Sequence, residues 1–183
     1  AARGSSDNAA RYAQYLFGIH HGLQVALATP SLFTMYGKPP DLTGALVVGI
    51  SQSGQSPDIV AVLAEARRQG RPTLSITNDP TSPLAQESSW VLTLNTGEEK
   101  AVAATKAYTT SLAALALLSC VIEKDTRNLD LLHQVPERMQ ATLDGLKEAM
   151  AHVERYRYIA QCSVVGRGLN YSTSFETALK IKE

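Results

Sequence analysis

The spacing of apolar residues along the chain predicts alternating helices and strands. Ser6 precedes apolar residues at helical spacing, which predicts a first helix with a polar cap. The continuous apolar run at residues 45–50, rich in β-branched side chains, is typical of a parallel strand covered on both faces. Pro57 is favoured at a helix start and Gly70 at a helix end, so a helix is predicted between them.

The same patterns predict the remaining elements. Strands are expected at residues 23–28, 72–77, 90–94 and 159–165, helices at 101–123, 129–152 and 173–183, and one helical turn at 82–86. Parallel strands joined by right-handed helical crossovers are the usual arrangement for such alternation. We therefore expect an α/β fold with a doubly wound, mostly parallel sheet flanked by helices. The polar stretch 125–130 is the predicted linker.

Composition and charge narrow the class of protein. The chain has 183 residues, 44% of them apolar, which is enough for a substantial core. Its 17 Lys and Arg balance 17 Asp and Glu, so no excess positive charge recruits nucleic acid or an anionic membrane. Cys120 and Cys162 have neither a CxxC spacing nor a metal-type spacing, which favours reduced thiols in the cytoplasm and no metal site. No apolar run reaches the roughly 18 residues of a membrane helix.

Residues 51–56, with the sequence Ser-Gln-Ser-Gly-Gln-Ser, join a predicted buried strand to a helix, and this position suits an anion. Free backbone N–H groups and the positive end of the helix dipole point there, and serine hydroxyls can donate to phosphate oxygens. The alternative is that Ser56 only caps the helix and the other residues make a turn. A nucleotide cofactor is not expected, because the chain lacks a P-loop and the segment 166–168 lacks the third glycine of a dinucleotide fingerprint.

Three further segments carry polar side chains that could belong to a site. Residues 3–6, Arg-Gly-Ser-Ser, lead into the first helix and could meet a polar ligand. Residues 102–106 open the Ala-rich helix, where plain helix packing with a solvated Lys106 is the alternative. Glu176, Lys180 and Glu183 lie at i, i+4 and i+7 on one helix face, where an ordinary surface ion pair is the alternative.

Taken in order, these segments resemble the sugar isomerase (SIS) domain family. The resemblance rests on Gly4-Ser5-Ser6, residues 51–56, residues 102–109 and residues 166–183, and it spans the whole chain. Within the family the chain is most similar to the isomerase half of glutamine-fructose-6-phosphate aminotransferase and to glucosamine-6-phosphate deaminases that lack a glutaminase domain. The resemblance implies a flavodoxin-like three-layer sandwich. It also implies that residues 1–126 are a first SIS domain without its first strand, and 127–183 a linking helix and the truncated start of a second.

The resemblance implies roles for individual residues as well. The implied phosphate binders are Ser6, Ser51, Gln52, Ser53 and Ser56, while Gly4, Ser5 and Val102 line the sugar. Glu183 is the implied catalytic base, which moves a proton between C1 and C2 of the sugar, with Lys180 and Glu176 as its polar neighbours. No metal and no cofactor is implied. The family's ring-opening histidine and C-terminal lysine would follow Glu183.

The implied function is binding of a hexose or hexosamine 6-phosphate and aldose–ketose isomerisation coupled to ammonia release or transfer. Arg3, where the synthases usually carry cysteine, and Ala104, where they carry a sugar-contacting serine, favour the deaminase branch. The alternative is a non-catalytic, sugar-phosphate-sensing SIS domain of a transcriptional regulator, although a sensor has no need for Glu176, Lys180 and Glu183 together. We expect a sugar phosphate and a second copy of the chain as partners, no nucleic acid, no membrane, and a cytoplasmic location.

Overall fold

A three-stranded parallel sheet forms the centre of the computed structural model, which describes residues 1–100 and 104–183. The strands are β1 (Val47–Ile50), β2 (Thr73–Thr77) and β3 (Trp90–Thr93), in the spatial order β1-β2-β3. Ile76 of β2 pairs with Ile50 of β1 and with Leu92 of β3. Because all three strands run in one direction, their carboxyl ends and the loops that follow meet at one edge of the sheet.

Eight α-helices accompany the sheet in the described part of the chain. They are α1 (Ser5–His21), α2 (Ser31–Thr34), α3 (Pro57–Arg68), α4 (Pro83–Gln86), α5 (Lys106–Glu123), α6 (Thr126–His133), α7 (Val135–Met150) and α8 (Asn170–Lys182). A short 3-10 turn, Val153–Tyr156, follows α7. The predicted start of α3 at Pro57 is confirmed, and so is the helical turn after Ser82, whose hydroxyl accepts the N–H of Ala85. The sequence pattern missed α2, which lies in a stretch rich in turn residues.

Two apolar clusters cover the two faces of the sheet. The first joins α1 and α5 to the strands and includes Ala9, Ala13, Leu16, Ile50, Ile76 and Leu115. The second joins α3 and α4 to the strands and includes Val47, Ile59, Val62, Leu63 and Leu84. Each fully buried aliphatic side chain contributes about 1.5–3 kcal/mol relative to exposure. The sheet is therefore the middle of three layers, which confirms the expected α/β fold with a parallel sheet flanked by helices.

The expectation that no apolar run reaches the length of a membrane helix is wrong for α5, which by length and composition could cross a membrane. Its buried residues Ala107, Tyr108, Ser111, Leu115 and Ser119 recur every three or four positions. They pack toward α1, as the buried stripe of a core helix does. The helix begins at Lys106, and residues 101–103 of the predicted helix lie outside the described residues.

The strands predicted at 23–28 and 159–165 are wrong, because neither segment has regular secondary structure. An apolar pattern forms a strand only where a neighbouring strand completes its hydrogen bonds, and no strand pairs with either segment in the described part of the chain. Val25 and Leu27 pack instead against the cluster on the α1 and α5 face. Ile159 and Val165 are exposed.

Most of the predicted linker at 125–130 is helical, because it forms the start of α6. Asp125 caps this helix, its carboxylate accepting the N–H of Asn128 at 3.0 Å. Lys124, in the left-handed conformation at φ 56°, separates α5 from α6. The helix predicted at 129–152 is thus two helices, and α7 exposes the apolar side chains Val135, Met139, Leu143, Leu146 and Met150.

Candidate functional site

The loop after β1 is held against the start of α4. Gly54 has a φ of 64°, and a Cβ at this position would overlap the side chain of Ser82. Its N–H donates to the carbonyl and to the hydroxyl of Ser51, each at 3.2 Å, and its carbonyl accepts the N–H of Leu84 at 3.1 Å. Only glycine satisfies both the backbone conformation and the close approach.

The hydroxyls of Ser51 and Ser53 in the same loop act as hydrogen-bond acceptors within the described residues. Ser51 Oγ accepts the N–H of Gly54, and Ser53 Oγ accepts the N–H of Gln55, each at 3.2 Å. A hydroxyl that accepts in this way can still donate its own O–H. Ser56 occupies the N-cap position of α3, yet its side chain makes no capping hydrogen bond. The alternative in which Ser56 serves only as a helix cap is therefore not supported by the geometry.

Several backbone donors of this loop are also free. Within the described residues, no backbone acceptor receives the N–H groups of Gln52, Ser53, Ser56 or Asp58. They lie between the carboxyl end of β1 and the first turn of α3, where the helix dipole is positive. Ser51 is buried and Ser53 is exposed, so one side of the loop opens to solvent. Converging N–H and O–H donors at a helix start can hold a phosphate or a carboxylate.

The first loop, which leads into α1, is joined to the start of α3. Arg3 Nη1 donates to Asp58 Oδ2 at 2.6 Å. The carbonyl of Ala1 accepts the N–H of Ile50 at 2.9 Å, so this end of the chain runs along the edge of β1 opposite β2. Gly4, with a φ of 55°, then turns the backbone into α1. Gly4, Ser5 and Ser6 thus lie at the same edge of the sheet as the serine loop.

The helix α8 carries the second group of candidate residues. Glu176 is buried, and its Oε2 accepts a hydrogen bond of 2.8 Å from Asn8 Nδ2 on α1. Lys180 Nζ lies 3.5 Å from Glu176 Oε1 and donates to Glu183 Oε2 at 2.6 Å. The alternative of an ordinary surface ion pair is wrong for Glu176, because this residue is only 6% exposed.

Lys180 is held in its charged form by its two carboxylate neighbours. Burial by itself lowers the pKa of this ammonium group, but the hydrogen bond to Glu183 and the charge of Glu176 outweigh it. The pKa of Lys180 is therefore raised above its ordinary value. An ammonium group fixed between two carboxylates can stabilise negative charge on a substrate oxygen.

Three buried residues that the sequence pattern did not single out support this group. Ser172 Oγ donates to the carbonyl of Asn8 at 2.6 Å and lies 2.9 Å from Tyr108 Oη. Burial raises the pKa of Tyr108, so its hydroxyl stays protonated. Asn8 offered a usable signal, since it is a polar residue beside Ala9 and Ala13 on an otherwise apolar helix face. Ser172 and Tyr108 lie in segments that carry the family resemblance, but the sequence pattern gave neither residue a role of its own.

The predicted site residues thus fall into two groups, one at the serine loop and the loop before α1, the other on α8. The start of α1 lies beside the serine loop, and Asn8, one turn further, reaches Glu176. Among the described residues, no hydrogen bond joins the serine loop directly to α8. Val102 lies outside the described residues, but Glu99 just before it accepts the N–H groups of Thr105 and Ala107, at 3.3 and 3.0 Å, and so holds the start of α5.

These features define a three-layer α/β domain with a serine loop, rich in free hydrogen-bond donors, at the carboxyl edge of its parallel sheet. The SIS domain family matches residues 1–120. The chain therefore belongs to the SIS domain family, as its motifs predicted.

Similar proteins narrow the relationship further. Glutamine–fructose-6-phosphate aminotransferase (isomerizing) of Streptococcus pneumoniae R6 is 36% identical over 157 residues, which are 81% of this chain and 26% of that protein. A crystal structure from Silicibacter pomeroyi DSS-3, described as a candidate phosphosugar isomerase, matches with a TM-score of 0.90 at 36% identity, over 99% of this chain and 55% of that one. The C-terminal domain of glucosamine-fructose-6-phosphate aminotransferase from Francisella tularensis matches with a TM-score of 0.84 at 30% identity, over 100% of this chain and 54% of that one.

This chain therefore spans about a quarter of the length of the curated relative and about half of each solved chain. The predicted similarity to the isomerase half of the aminotransferase is confirmed.

Proposed function

We propose that the protein binds a hexose or hexosamine 6-phosphate and catalyses aldose–ketose isomerisation coupled to release or transfer of ammonia. The observation that carries the proposal is the buried Glu176, held by Asn8 and placed beside the Lys180–Glu183 pair. Phosphate binding alone needs only the serine loop, whereas proton transfer needs a positioned carboxylate and a nearby cation. The name of the S. pneumoniae relative, an isomerizing aminotransferase of fructose 6-phosphate, supports the same reaction class.

The phosphate is proposed to lie at the serine loop. The hydroxyls of Ser51, Ser53 and Ser56 and the free N–H groups would donate to its oxygens, with Gln52 and Ser6 completing the shell. These donors are neutral, so the loop binds the dianion through hydrogen bonds and the dipole of α3. Gly4, Ser5 and Val102 are proposed to line the sugar.

Glu183 is proposed as the base. In the deaminating direction it removes the proton from C2 of the open-chain amino sugar, a C1–C2 double bond forms, and O1 takes up a proton from water to give an enolamine. Return of the first proton to C1, with loss of an N–H proton to water, gives an imine at C2, whose hydrolysis gives the ketose and ammonia. Lys180, 2.6 Å from Glu183, can stabilise the negative charge that develops on O1. Glu176 balances the charge of Lys180 from its buried position.

We also propose that residues 1–126 form a SIS domain and that 127–183 are the linking helix and the start of a second, in a cytoplasmic homodimer. In support, α6 packs on α5 and α7 on α6, while no residue of either helix is buried. The apolar side chains exposed along α7 need a further covering surface.

The test is to incubate the full-length protein with glucosamine 6-phosphate and to assay both fructose 6-phosphate and ammonia. Glu183→Gln should abolish turnover while sugar-phosphate affinity is kept, because the phosphate contacts lie on another loop. Ser53→Ala should raise KM more than it lowers kcat, because Ser53 is proposed to bind the phosphate. Glu137→Gln, on α7, is the matched control and should leave turnover and sugar-phosphate affinity unchanged.

Each other outcome has a definite meaning. Fructose 6-phosphate formed without ammonia rejects the deaminase proposal. Full turnover in Glu183→Gln rejects the assignment of the base. Tight sugar-phosphate binding by a wild-type protein that never turns over would favour the sensing domain over the enzyme.

A further inference from the structure

Helices α1 and α8 pack along one stripe of each, and this stripe ends at the proposed catalytic residues. The contacts along it are Tyr15 with Tyr171, Arg11 with Phe175, and Asn8 with Glu176. Positions 8, 11 and 15 follow the three-to-four-residue repeat of a helix face. The Asn8 contact lies nearest to the start of α1, where the serine loop is. A shift of α8 along α1 would therefore move Glu176 relative to Asn8.

Asn8 holds one oxygen of Glu176 through a neutral hydrogen-bond donor. Both residues are only 6% exposed, and the amide donates to Oε2 at 2.8 Å. Within the described residues, Oε1 accepts no hydrogen bond and lies 3.5 Å from Lys180 Nζ. A neutral donor does not compete with Lys180 for the negative charge, as an arginine in its place would. The amide thus fixes the orientation of the carboxylate while its charge remains available to Lys180.

The backbone of Asn8 is itself tied to two other helices. Its carbonyl accepts the hydroxyl of Ser172 on α8, which lies 2.9 Å from Tyr108 Oη on α5. Ser172 is 1% exposed and Tyr108 8%, so water does not compete for these hydrogen bonds. The three helices meet in a buried polar junction. Two of them begin at segments proposed to bind the sugar phosphate, and the third carries Glu176, Lys180 and Glu183.

We propose that Asn8 is a positioning residue for proton transfer: it orients Glu176, which holds Lys180 beside Glu183. This inference rests on the proposed function, since it names the group that aligns the proposed base. It also makes α1 the element that couples the two ends of the site. Ser6 at its start belongs to the proposed phosphate shell, and Asn8, two residues later, orients Glu176 on the helix proposed to perform the chemistry.

The test compares Asn8→Ala with Asn8→Asp in the full-length protein. Asn8→Ala should lower kcat by about tenfold to hundredfold, the cost of a misplaced catalytic group, with KM changed by less than about threefold. Asn8→Asp has the same shape but sets two carboxylates against each other, which raises the pKa of the pair. When the pair holds one proton, the introduced side chain in its protonated form can donate to Glu176 as the amide does.

Turnover of Asn8→Asp, relative to wild type, should therefore rise as the pH is lowered from about 8 to about 6, whereas Asn8→Ala should stay low throughout. The charged and titratable groups that face the pair are Lys180 and Glu183 on α8, Asp7 and Arg11 on α1, and Tyr108 on α5. A role in stability alone would not produce this recovery at low pH. If Asn8→Ala does not fold, the pH profile of Asn8→Asp decides the question.

Gln14→Ala is the matched control, since it removes another side-chain amide of α1 that donates to the Val25 carbonyl and not to α8. It should leave kcat and the pH profile unchanged. Wild-type kcat in Asn8→Ala, with turnover of the wild-type protein established, overturns the inference while the proposed function stands. A wild-type protein that binds but never turns over rejects the proposed function, and the inference with it.

Discussion

Gly54 and Ser82 approach each other so closely that a single methyl group cannot be placed between them. A Cβ on Gly54 would overlap both side-chain atoms of Ser82 and would lie 3.0 Å from Thr77 Oγ1. Ser82 caps α4 and is 1% exposed, so its side chain cannot move away from Gly54 without breaking the cap. The contact sets how far the serine loop folds over the carboxyl ends of β1 and β2.

Gly54→Ala should therefore destabilise the fold and weaken phosphate binding together. Alanine at a positive φ costs about 1–2 kcal/mol, and the overlap with Ser82 adds about 1–3 kcal/mol. Urea unfolding and titration with a sugar phosphate measure the two effects. Gly70→Ala is the control, because Gly70 also has a positive φ, 68°, with open space around it. Equal losses of stability in the two variants would show that the loop can move away from Ser82.

Ser56 and Ser82 both precede a helix, but only Ser82 uses its hydroxyl as a cap. Ser82 Oγ accepts the N–H of Ala85 at 3.4 Å and donates to the carbonyl of Asp79 at 2.7 Å. Ser82→Ala should lower the free energy of unfolding by about 1 kcal/mol, the usual value of a cap. Ser56→Ala should cost less than about 0.5 kcal/mol yet weaken sugar-phosphate binding. A stability loss in Ser56→Ala with unchanged binding would restore the interpretation of Ser56 as a structural cap.

The Arg3–Asp58 ion pair places one positive and one negative charge beside the proposed phosphate site. Arg3→Ala should weaken sugar-phosphate binding and Asp58→Asn should tighten it, each by about twofold to fivefold at low salt, as one unit charge acts through a solvent-exposed region. The double variant restores the local charge balance and should bind nearly as the wild type does. Titrations at low and high salt should show the differences shrinking as salt is added. Variants that bind equally at low salt would place the ion pair away from the ligand.

Glu65 should contribute to the acid sensitivity of the fold. Hydrogen bonds from Arg68, and then from Gln69, lower the pKa of Glu65 from 4.5 to about 2. Because its pKa is depressed in the folded state, its stabilising effect is present above the unfolded pKa and is lost as the pH falls toward 2. The Tm of the wild type should fall more steeply below pH 4.5 than that of Glu65→Gln. The Tm of Arg68→Met should likewise depend less steeply on pH than that of the wild type. Parallel Tm curves for wild type and Glu65→Gln would contradict this account.

The two wrong strand predictions have one cause: a local sequence pattern does not show whether a neighbouring strand is present. Residues 23–28 and 159–165 have strand-like composition, but a strand exists only through hydrogen bonds to a neighbour. Residues 72–77 have the same kind of pattern and do form β2, because β1 and β3 flank them on both sides. The pattern of one segment contains no information on whether such a neighbour is present.

The same distinction between local pattern and long-range contact applies to the residues of the candidate site. The sequence by itself determined the buried strand before the serine loop, the glycine turn, the helix start at Pro57 and the i, i+4, i+7 face of Glu176, Lys180 and Glu183, because each depends on neighbours within about one helical turn. Only the tertiary structure decided that Glu176 is a buried carboxylate rather than a surface partner of Lys180. Its hydrogen-bond donor, Asn8, lies 168 positions away in the chain. Burial and long-range hydrogen bonding are properties of packed elements, and the spacing of residues along one helix does not specify what that helix packs against.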